Sequence, residues 1–203
     1  MGTFALVFCG AGAMTIDEVT KGSVSHVGVA LTFGLIVMAM IYALGERSGA
    51  HLNPAVTIAF ACARVFSWKQ TGPYIISQCS GAITASYLLK WLFPASLLLG
   101  ATLPAGSVPQ SFVLEFILTL LLMFVILNVA HGSKEQGLMA GVVIGGVVAL
   151  EAMFAGPICG ASMNPARSLA PAIASHHFQS LWLYLTAPIL GAVTAVGIHK
   201  LIQ

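Results

Sequence analysis

A nine-residue phrase that occurs twice constrains the fold of this chain more than any other feature. Residues 49–57 read Gly-Ala-His-Leu-Asn-Pro-Ala-Val-Thr, and residues 160–168 read Gly-Ala-Ser-Met-Asn-Pro-Ala-Arg-Ser. The two asparagines, Asn53 and Asn164, are 111 positions apart in a chain of 203 residues. A period of this length indicates two related halves and not a solenoid of short repeats.

The Asn-Pro-Ala triplet is a helix-start signal in both copies. Proline suits the first helical position, because its missing N–H would be unpaired there and its φ is already helical. Asparagine is a favoured N-cap, whose side-chain oxygen accepts a backbone N–H and leaves its NH2 to point elsewhere. A helix N-terminus carries about half a positive charge. Two such termini that face each other would form a small site rich in hydrogen-bond donors.

The composition identifies the surroundings of these helices. The chain is 58% hydrophobic and 7% charged, whereas soluble domains carry about 25% charged residues. The sequence therefore predicts an integral, multi-pass membrane protein in a lipid bilayer. A net charge of +2 gives no reason to expect a nucleic-acid partner. The four cysteines lie in apolar stretches without metal-ligand spacing, which predicts small apolar residues and neither a metal site nor a cofactor.

Six apolar stretches predict membrane spans, at residues 1–14, 24–44, 72–93, 111–130, 137–154 and 180–202. The first stretch rises only about 21 Å against a hydrocarbon core of about 30 Å, so we expect its start to precede Met1. Polar loops are expected around Asp17, Glu18 and Lys21 and at 131–136. The helices after the two Asn-Pro-Ala triplets, about 54–64 and up to 174, are too short to cross and must re-enter, buried in protein. The predicted fold class is an all-α membrane protein with six transmembrane helices and two re-entrant half-helices.

Three spans in each half give the halves opposite orientations in the membrane. This is the inverted 3+3 repeat of many transport proteins, with the working site near the midplane. The predicted single domain 1–203 divides into a first repeat 1–93, a connecting loop 94–109 and a second repeat 110–203. The excess of basic residues predicts a cytoplasmic first re-entrant loop and cytoplasmic termini in the cell's inner or plasma membrane. The cytoplasmic set is Arg47, Arg64, Lys69, Lys134 and Lys200, against Lys21 and Lys90 on the other side.

Both phrases in a six-span frame resemble the aquaporin and aquaglyceroporin (major intrinsic protein) family over nearly the whole chain. Two shorter segments, Gly2-Thr3-Phe4 and Glu115-x-x-x-Thr119, also resemble the paired motifs of that family. The resemblance implies a passive channel and not an enzyme, with water and small neutral solutes as its permeants. It also implies a homotetramer with one pore in each subunit.

The resemblance assigns pore roles to both phrases. Asn53 and Asn164 would donate to the oxygen of a passing molecule, and the two positive helix ends would repel cations and protons. The remaining motif residues are Pro54, Ala55, Pro165 and Ala166. Backbone carbonyls would line the two half-channels as acceptors, from Gly49, Ala50, His51, Leu52, Gly160, Ala161, Ser162 and Met163. The family role of the His51 side chain is structural.

Offsets from the two asparagines assign the narrow outer filter of the family to Phe33, Ala152, Ala161 and Arg167. Arg167 fits on its own chemistry, as a permanent cation with five donors. The alternative is an arginine that braces the loop through a carboxylate or carbonyls. Ala152 stands where strict water channels usually place His, which predicts a wider, less polar filter that passes glycerol. The order Phe-Ala-Ala-Arg resembles the nodulin-like bacterial and plant subgroup.

Two neighbouring positions give a mixed substrate signal. Ser168 follows Arg167 where glycerol facilitators usually carry Asp, and this favours a water channel. Tyr184-Leu185 replaces the Phe-Trp usual in water channels and favours a solute channel. A strictly water-selective pore therefore remains the alternative.

Two carboxylates lie within predicted membrane segments, where a charge costs about 2.5–3.5 kcal/mol on insertion scales. Glu115 matches a family glutamate that resembles a brace for re-entrant backbone N–H groups. Glu151 adjoins Ala152, and neighbouring helical residues point about 100° apart, so it is expected to brace a loop or, alternatively, to contact solute. A proton-coupled transporter that uses Glu151 is a further alternative. The sequence contains no nucleophile–base or metal constellation typical of an enzyme, and an adhesive role stays open.

Overall fold

The described part of the chain folds into six long and two short α-helices. The structure is a computed structural model that describes the backbone of residues 1–130 and 134–202 and the side chains of all of these but 134–136. In chain order the helices are α1 (Gly2–Thr20), α2 (Ser25–Ser48), α3 (Pro54–Cys62), α4 (Trp68–Leu92), α5 (Val108–Ala130), α6 (Lys134–Cys159), α7 (Pro165–Ser175) and α8 (Leu181–Leu201). The predicted all-α fold class is confirmed, with α3 and α7 as the two half-helices.

The long helices have the dimensions of membrane spans. Five of them (α1, α2, α5, α6 and α8) have both the length and the hydropathy needed to cross a bilayer. The remaining long helix, α4, has 25 residues and rises about 37 Å, but Lys69, Gln70, Gln78 and Lys90 make it more polar. The chain is therefore an integral, multi-pass membrane protein.

The first helix extends further than the sequence analysis predicts. α1 runs on to Thr20, so the expectation that Asp17 and Glu18 lie in a loop is wrong. Their carboxylates serve the backbone of neighbouring loops: Asp17 Oδ1 accepts the N–H of Ser25 at 2.8 Å, and Glu18 Oε1 accepts the N–H of Leu97 at 3.0 Å. Because the acids satisfy donors that the loops leave unpaired, they mark the end of a helix and not the middle of a turn.

Other boundaries shift by a few residues. α2 continues four residues past the predicted end at Leu44 and stops at Gly49, which has the left-handed φ of 74° that ends many helices. α5 begins at Val108 and contains Pro109, which was predicted to end the connecting loop, because proline fits the first turn of a helix. The predicted loop at 131–136 lies partly outside the described residues, and α6 begins at Lys134, before the predicted start at 137.

The helices pack in two corresponding sets. α1 contacts α2 and α4, and α5 contacts α6 and α8 in the same way. The half-helices cross between the sets, since α3 packs on α8 and α7 packs on α4. α2 and α6 meet at glycines: a Cβ on Gly145 would lie 2.6 Å from the carbonyl oxygen of Gly34. This close approach is what small residues provide where helices associate in lipid.

The half-helices are buried along their length among small side chains. Ala55, Ala59 and Ala170 are completely inaccessible, and Ala166 is nearly so. A lysine ammonium group from a helix of the other set lies at the C-terminal end of each half-helix. Lys90 Nζ donates to the carbonyl of Ala174 at 2.6 Å, and Lys200 Nζ approaches that of Cys62 at 3.5 Å. Cations at helix C-termini complement the helix dipole.

Candidate functional site

The two asparagines cap the half-helices, as the sequence predicts. Asn53 has extended backbone, and its Oδ1 accepts the N–H of Ala55 at 2.9 Å. Asn164 Oδ1 accepts the N–H groups of Ala166 at 3.0 Å and Arg167 at 3.3 Å. Proline occupies the first helical position in both. The two N-termini therefore present their amide groups in matched geometry.

Each asparagine also bonds to the opposite loop, which the sequence analysis did not foresee. Asn53 Nδ2 donates to the carbonyl of Met163 at 2.6 Å, and Asn164 Nδ2 donates to that of Leu52 at 3.0 Å. An amide NH2 has two donors and a carbonyl has two lone pairs. One donor of each asparagine thus joins the loops together, and the second is the one that a permeant could meet.

The backbone before each asparagine is unwound in the same manner. Left-handed φ values recur at matched positions of the two loops, namely Gly49, Ala50, Leu52, Gly160, Ala161 and Met163. For a residue other than glycine, such a conformation costs roughly 1–2 kcal/mol. Strain of this kind persists where the surroundings enforce it and clusters at functional sites. Because the left-handed residues occupy matched positions, we infer that the surrounding structure holds both loops in the same conformation.

A cavity of about 1140 Å³ connects these groups. Its lining includes all four predicted filter residues, both asparagines, the loop residues 49–52 and the two loop residues Ser162 and Met163. The other predicted residues, Gly160, Pro54, Ala55, Pro165, Ala166, Glu115 and Glu151, are not part of this lining. The prolines and alanines of the triplets instead lie in the buried stems of the half-helices.

All four filter residues line this cavity, and two of them are in direct contact. The Arg167 guanidinium lies 5.0 Å from the centre of the Phe33 ring, a cation–π distance. Arg167 is only 2% exposed, and Ala152 and Ala161 are 7% and 6% exposed. Arg167 Nη1 donates to the carbonyl of Gly100 at 2.8 Å, so the arginine is both braced by a carbonyl and part of the cavity wall.

The two buried glutamates differ in their contacts. Glu115 accepts the N–H of Ser162 at 2.7 Å through Oε1 and the N–H of Met163 at 2.8 Å through Oε2. These bonds hold the second re-entrant loop at Ser162 and at the strained Met163. Glu151 is 1% exposed, and its Oε2 has no hydrogen-bond partner among the described residues. Glu115 therefore braces the loop, whereas Oε2 of Glu151 makes no such bond among the described residues.

Several supporting residues were not found by sequence reasoning. Thr102 Oγ1 donates to Ser168 Oγ at 2.7 Å, and Ser168 lies 2.5 Å from the hydroxyl of Ser162. Tyr184, noted only as a departure from a motif, donates to the carbonyl of Cys159 at 2.7 Å. These contacts tie the connecting loop to α7 and the second re-entrant loop, and tie α8 to the end of α6. Thr102 and Tyr184 bind partners 66 and 25 positions away, so local pattern carries no signal for these two contacts.

The His51 side chain is held in place at the cavity wall. Its Nδ1 lies 3.2 Å from Thr57 Oγ1. The ring packs against Phe60, Phe66 and Tyr74, with centroids 4.8, 4.8 and 4.6 Å away. These contacts are those of a side chain that shapes the first re-entrant loop, in keeping with the structural role that the sequence analysis assigns to it.

Two opposed half-helices at the centre of a membrane-embedded cavity define a membrane channel. The sequence profile of the major intrinsic protein family matches residues 1–199. Aquaporin NIP1-4 of Oryza sativa subsp. japonica is 46% identical over 204 residues, which cover 100% of this chain and 74% of that protein. Aquaporin NIP6-1 of Arabidopsis thaliana is 42% identical over 203 residues, covering 100% and 67%. The X-ray structure of the aquaglyceroporin from Plasmodium falciparum superposes with a TM-score of 0.89 at 27% identity, covering 98% of this chain and 92% of that one.

The chain belongs to the major intrinsic protein family. It is a passive membrane channel for water and small solutes and not an enzyme. The predicted family is confirmed, and the relatives named as nodulin-like intrinsic proteins agree with the predicted subgroup.

Proposed function

We propose that this channel conducts water and small uncharged solutes, glycerol foremost, and excludes ions and protons. The observation that supports this most strongly is the composition of the cavity wall. Both asparagines, Arg167 and the two small filter residues Ala152 and Ala161 line one continuous space. A permeant meets amide donors at the half-helix ends and guanidinium donors at the outer filter, beside apolar surface from Phe33.

The width of the filter favours solutes larger than water. Ala152 and Ala161 each present a single methyl group to the cavity, and Phe33 supplies an apolar wall for the carbon backbone of a polyol. Arg167 supplies donors for its hydroxyl groups. The similarity to the aquaglyceroporin from Plasmodium falciparum supports the same choice. A strictly water-selective pore is the second candidate, and Ser168 is the residue that favours it.

Two groups of donors, at the half-helix ends and at Arg167, account for the exclusion of cations. The N-termini of α3 and α7 point their partial positive charges at the cavity centre, and Arg167 adds a full charge at its outer end. A cation that sheds water in this space finds few acceptors among side chains. Oxygen of a neutral molecule is attracted at both levels, so neutral solutes pass and cations do not.

The architecture around the pore is part of the same proposal. Residues 1–203 form one channel domain, made of a first repeat 1–93, a connecting loop 94–109 and a second repeat 110–203. The corresponding helix contacts of the two sets support this division. The first Asn-Pro-Ala loop and both termini lie in the cytoplasm, in a plasma or inner membrane. Four copies assemble into a homotetramer with one pore in each.

A transport assay separates this channel from a proton-coupled transporter. Glu151 does not line the cavity, so a Glu151→Gln variant should keep wild-type glycerol uptake. We expect uptake of radiolabelled glycerol into proteoliposomes to rise linearly with concentration and to be the same with and without an imposed pH gradient. Uptake that saturates, follows the gradient and disappears in Glu151→Gln would replace the channel with the transporter.

A further inference from the structure

One face of α1 lies directly behind the filter, although no residue of α1 was assigned to it. Residues 10, 11 and 14 fall on one side of a helix, and we call Gly10, Ala11 and Met14 the α1 filter face. Each of the three contacts a different part of the filter or its support. The contacts differ in kind, being a ring, a loop and a guanidinium.

Gly10 lies against the ring of Phe33. A Cβ at this position would overlap Cε1 and Cδ1 of the ring and lie 2.6 Å from Cζ. Contacts closer than about 3 Å do not occur for real Cβ atoms, so the ring or the helix would have to move. The present place of the Phe33 ring therefore requires glycine at position 10.

The other two residues of the face support Arg167. The Nη2 group of Arg167 donates to Met14 Sδ at 2.9 Å. Ala11 packs against Gly100, where an added Cβ would lie 2.8 Å from the Ala11 methyl group. Gly100 has a left-handed φ of 73°, and its carbonyl accepts from Arg167 Nη1. α1 thus positions the Arg167 guanidinium directly through Met14, and indirectly through the contact of Ala11 with Gly100.

We propose that Gly10 is a specificity-determining residue, which sets the width of the filter by letting the Phe33 ring sit back against α1. This inference rests on the proposed function of the cavity as a solute pore. Phe33 lies between Gly10 on one side and the cavity on the other. A methyl group on Gly10 would push the ring away from α1, towards Arg167 and the cavity, and would narrow the filter.

The test compares four proteins in proteoliposomes by stopped-flow light scattering: wild type, Gly10→Ala, Phe33→Leu and the double variant. A methylene-sized change in a fitted site alters discrimination by about tenfold, so Gly10→Ala should lower glycerol permeability by about that factor and water permeability by less. Adding Gly10→Ala to Phe33→Leu should have little further effect, because the smaller side chain removes the overlap. Gly12→Ala is the matched control, since a Cβ there meets only Leu89 Cδ2 at 3.2 Å.

Each outcome decides the inference. Unchanged glycerol permeability in Gly10→Ala, or an equal loss in the Phe33→Leu background, would overturn it. If Gly10→Ala does not fold, the inference predicts that the double variant does, because Phe33→Leu removes the overlap. A double variant that fails to fold while Gly12→Ala folds would also overturn the role of Phe33. Wild-type protein that passes water and no glycerol would instead contradict the proposed substrate range. In that case water permeability decides the inference. Gly10→Ala should lower it, and adding Phe33→Leu to Gly10→Ala should restore it.

Discussion

At the scale of single residues, the proposed selectivity of this channel depends on which donors are already occupied. Arg167 directs two of its N–H groups to Gly100 and Met14, and a guanidinium has five donors in a fixed fork. The asparagines direct one N–H each to the opposite loop. Because these bonds fix the orientation of the groups, the donors that remain would, in the proposed pore, meet a permeant without reorganisation.

Enlarging the side chain at position 152 should convert the filter towards water selectivity. Histidine in place of alanine adds a polar ring to the cavity wall, and an Ala152→His variant should lose at least about tenfold in glycerol permeability. Water permeability should fall by a smaller factor. Stopped-flow light scattering measures both. The neighbouring variant Met153→His, which lies outside the cavity lining, is the control, and equal glycerol flux in the two variants would refute the filter assignment.

Removing the filter charge should open the pore to cations. An Arg167→Val variant loses the guanidinium and keeps an apolar side chain in its place. We expect the sodium leak of loaded proteoliposomes to rise by at least about tenfold, which corresponds to roughly 1.4 kcal/mol of barrier. The exposed Arg47, which also lines the cavity, provides the control Arg47→Val. A leak that is unchanged in Arg167→Val would show that the helix ends alone exclude cations.

At the scale of helices and loops, the two half-helices are held from both ends. Their N-termini are fixed by the cross-loop asparagine bonds, and their C-termini face lysines from the helices of the other set. The sequence predicts the caps, because Asn-Pro is a local signal. It does not predict the cross-loop bonds of Asn53 and Asn164, because each of these joins residues more than 100 positions apart.

Replacing the loop brace should cost stability. A Glu115→Gln variant offers one acceptor and one NH2 donor to two backbone N–H groups, so at least one bond to a charged acceptor is lost. Such a bond contributes about 1.5–3 kcal/mol, and we expect a lower Tm by intrinsic tryptophan fluorescence in detergent. Glu46→Gln, at an exposed glutamate, controls for the loss of charge. A Tm equal to that of the control would mean that Glu115 does not brace the loop.

The lysine at the C-terminal end of α7 should contribute more to stability than the lysine at the C-terminal end of α3. Lys90 Nζ reaches its carbonyl at 2.6 Å, whereas Lys200 remains at 3.5 Å. A cation at a helix C-terminus contributes about 0.5 kcal/mol, so Lys90→Met should lower Tm by a small, measurable amount and Lys200→Met by less. Thermal melts at low and high salt report the difference, which should shrink as salt rises. The reverse order of effects would contradict this account of the helix ends.

At the scale of the whole molecule, hydropathy and the repeated phrase predict the helix number, the helix order and the half-helices. They underestimate the length of α1, because Asp17 and Glu18 are typical of a loop when their hydrogen-bond partners are not known. They also place Pro109 in a loop, because proline is equally suited to a loop and to a first helical turn. The filter positions were placed by resemblance alone, and the structure brings all four to one cavity.

The central claim, that the chain is a solute-permeable channel, is tested most directly by stopped-flow light scattering on proteoliposomes with sucrose and then glycerol as osmolyte. The account predicts fast shrinkage in both osmolytes and fast re-swelling in glycerol only, relative to protein-free liposomes. Fast shrinkage without re-swelling in glycerol would establish a water-selective pore and contradict the argument from Ala152. The absence of any acceleration would contradict conduction through this cavity.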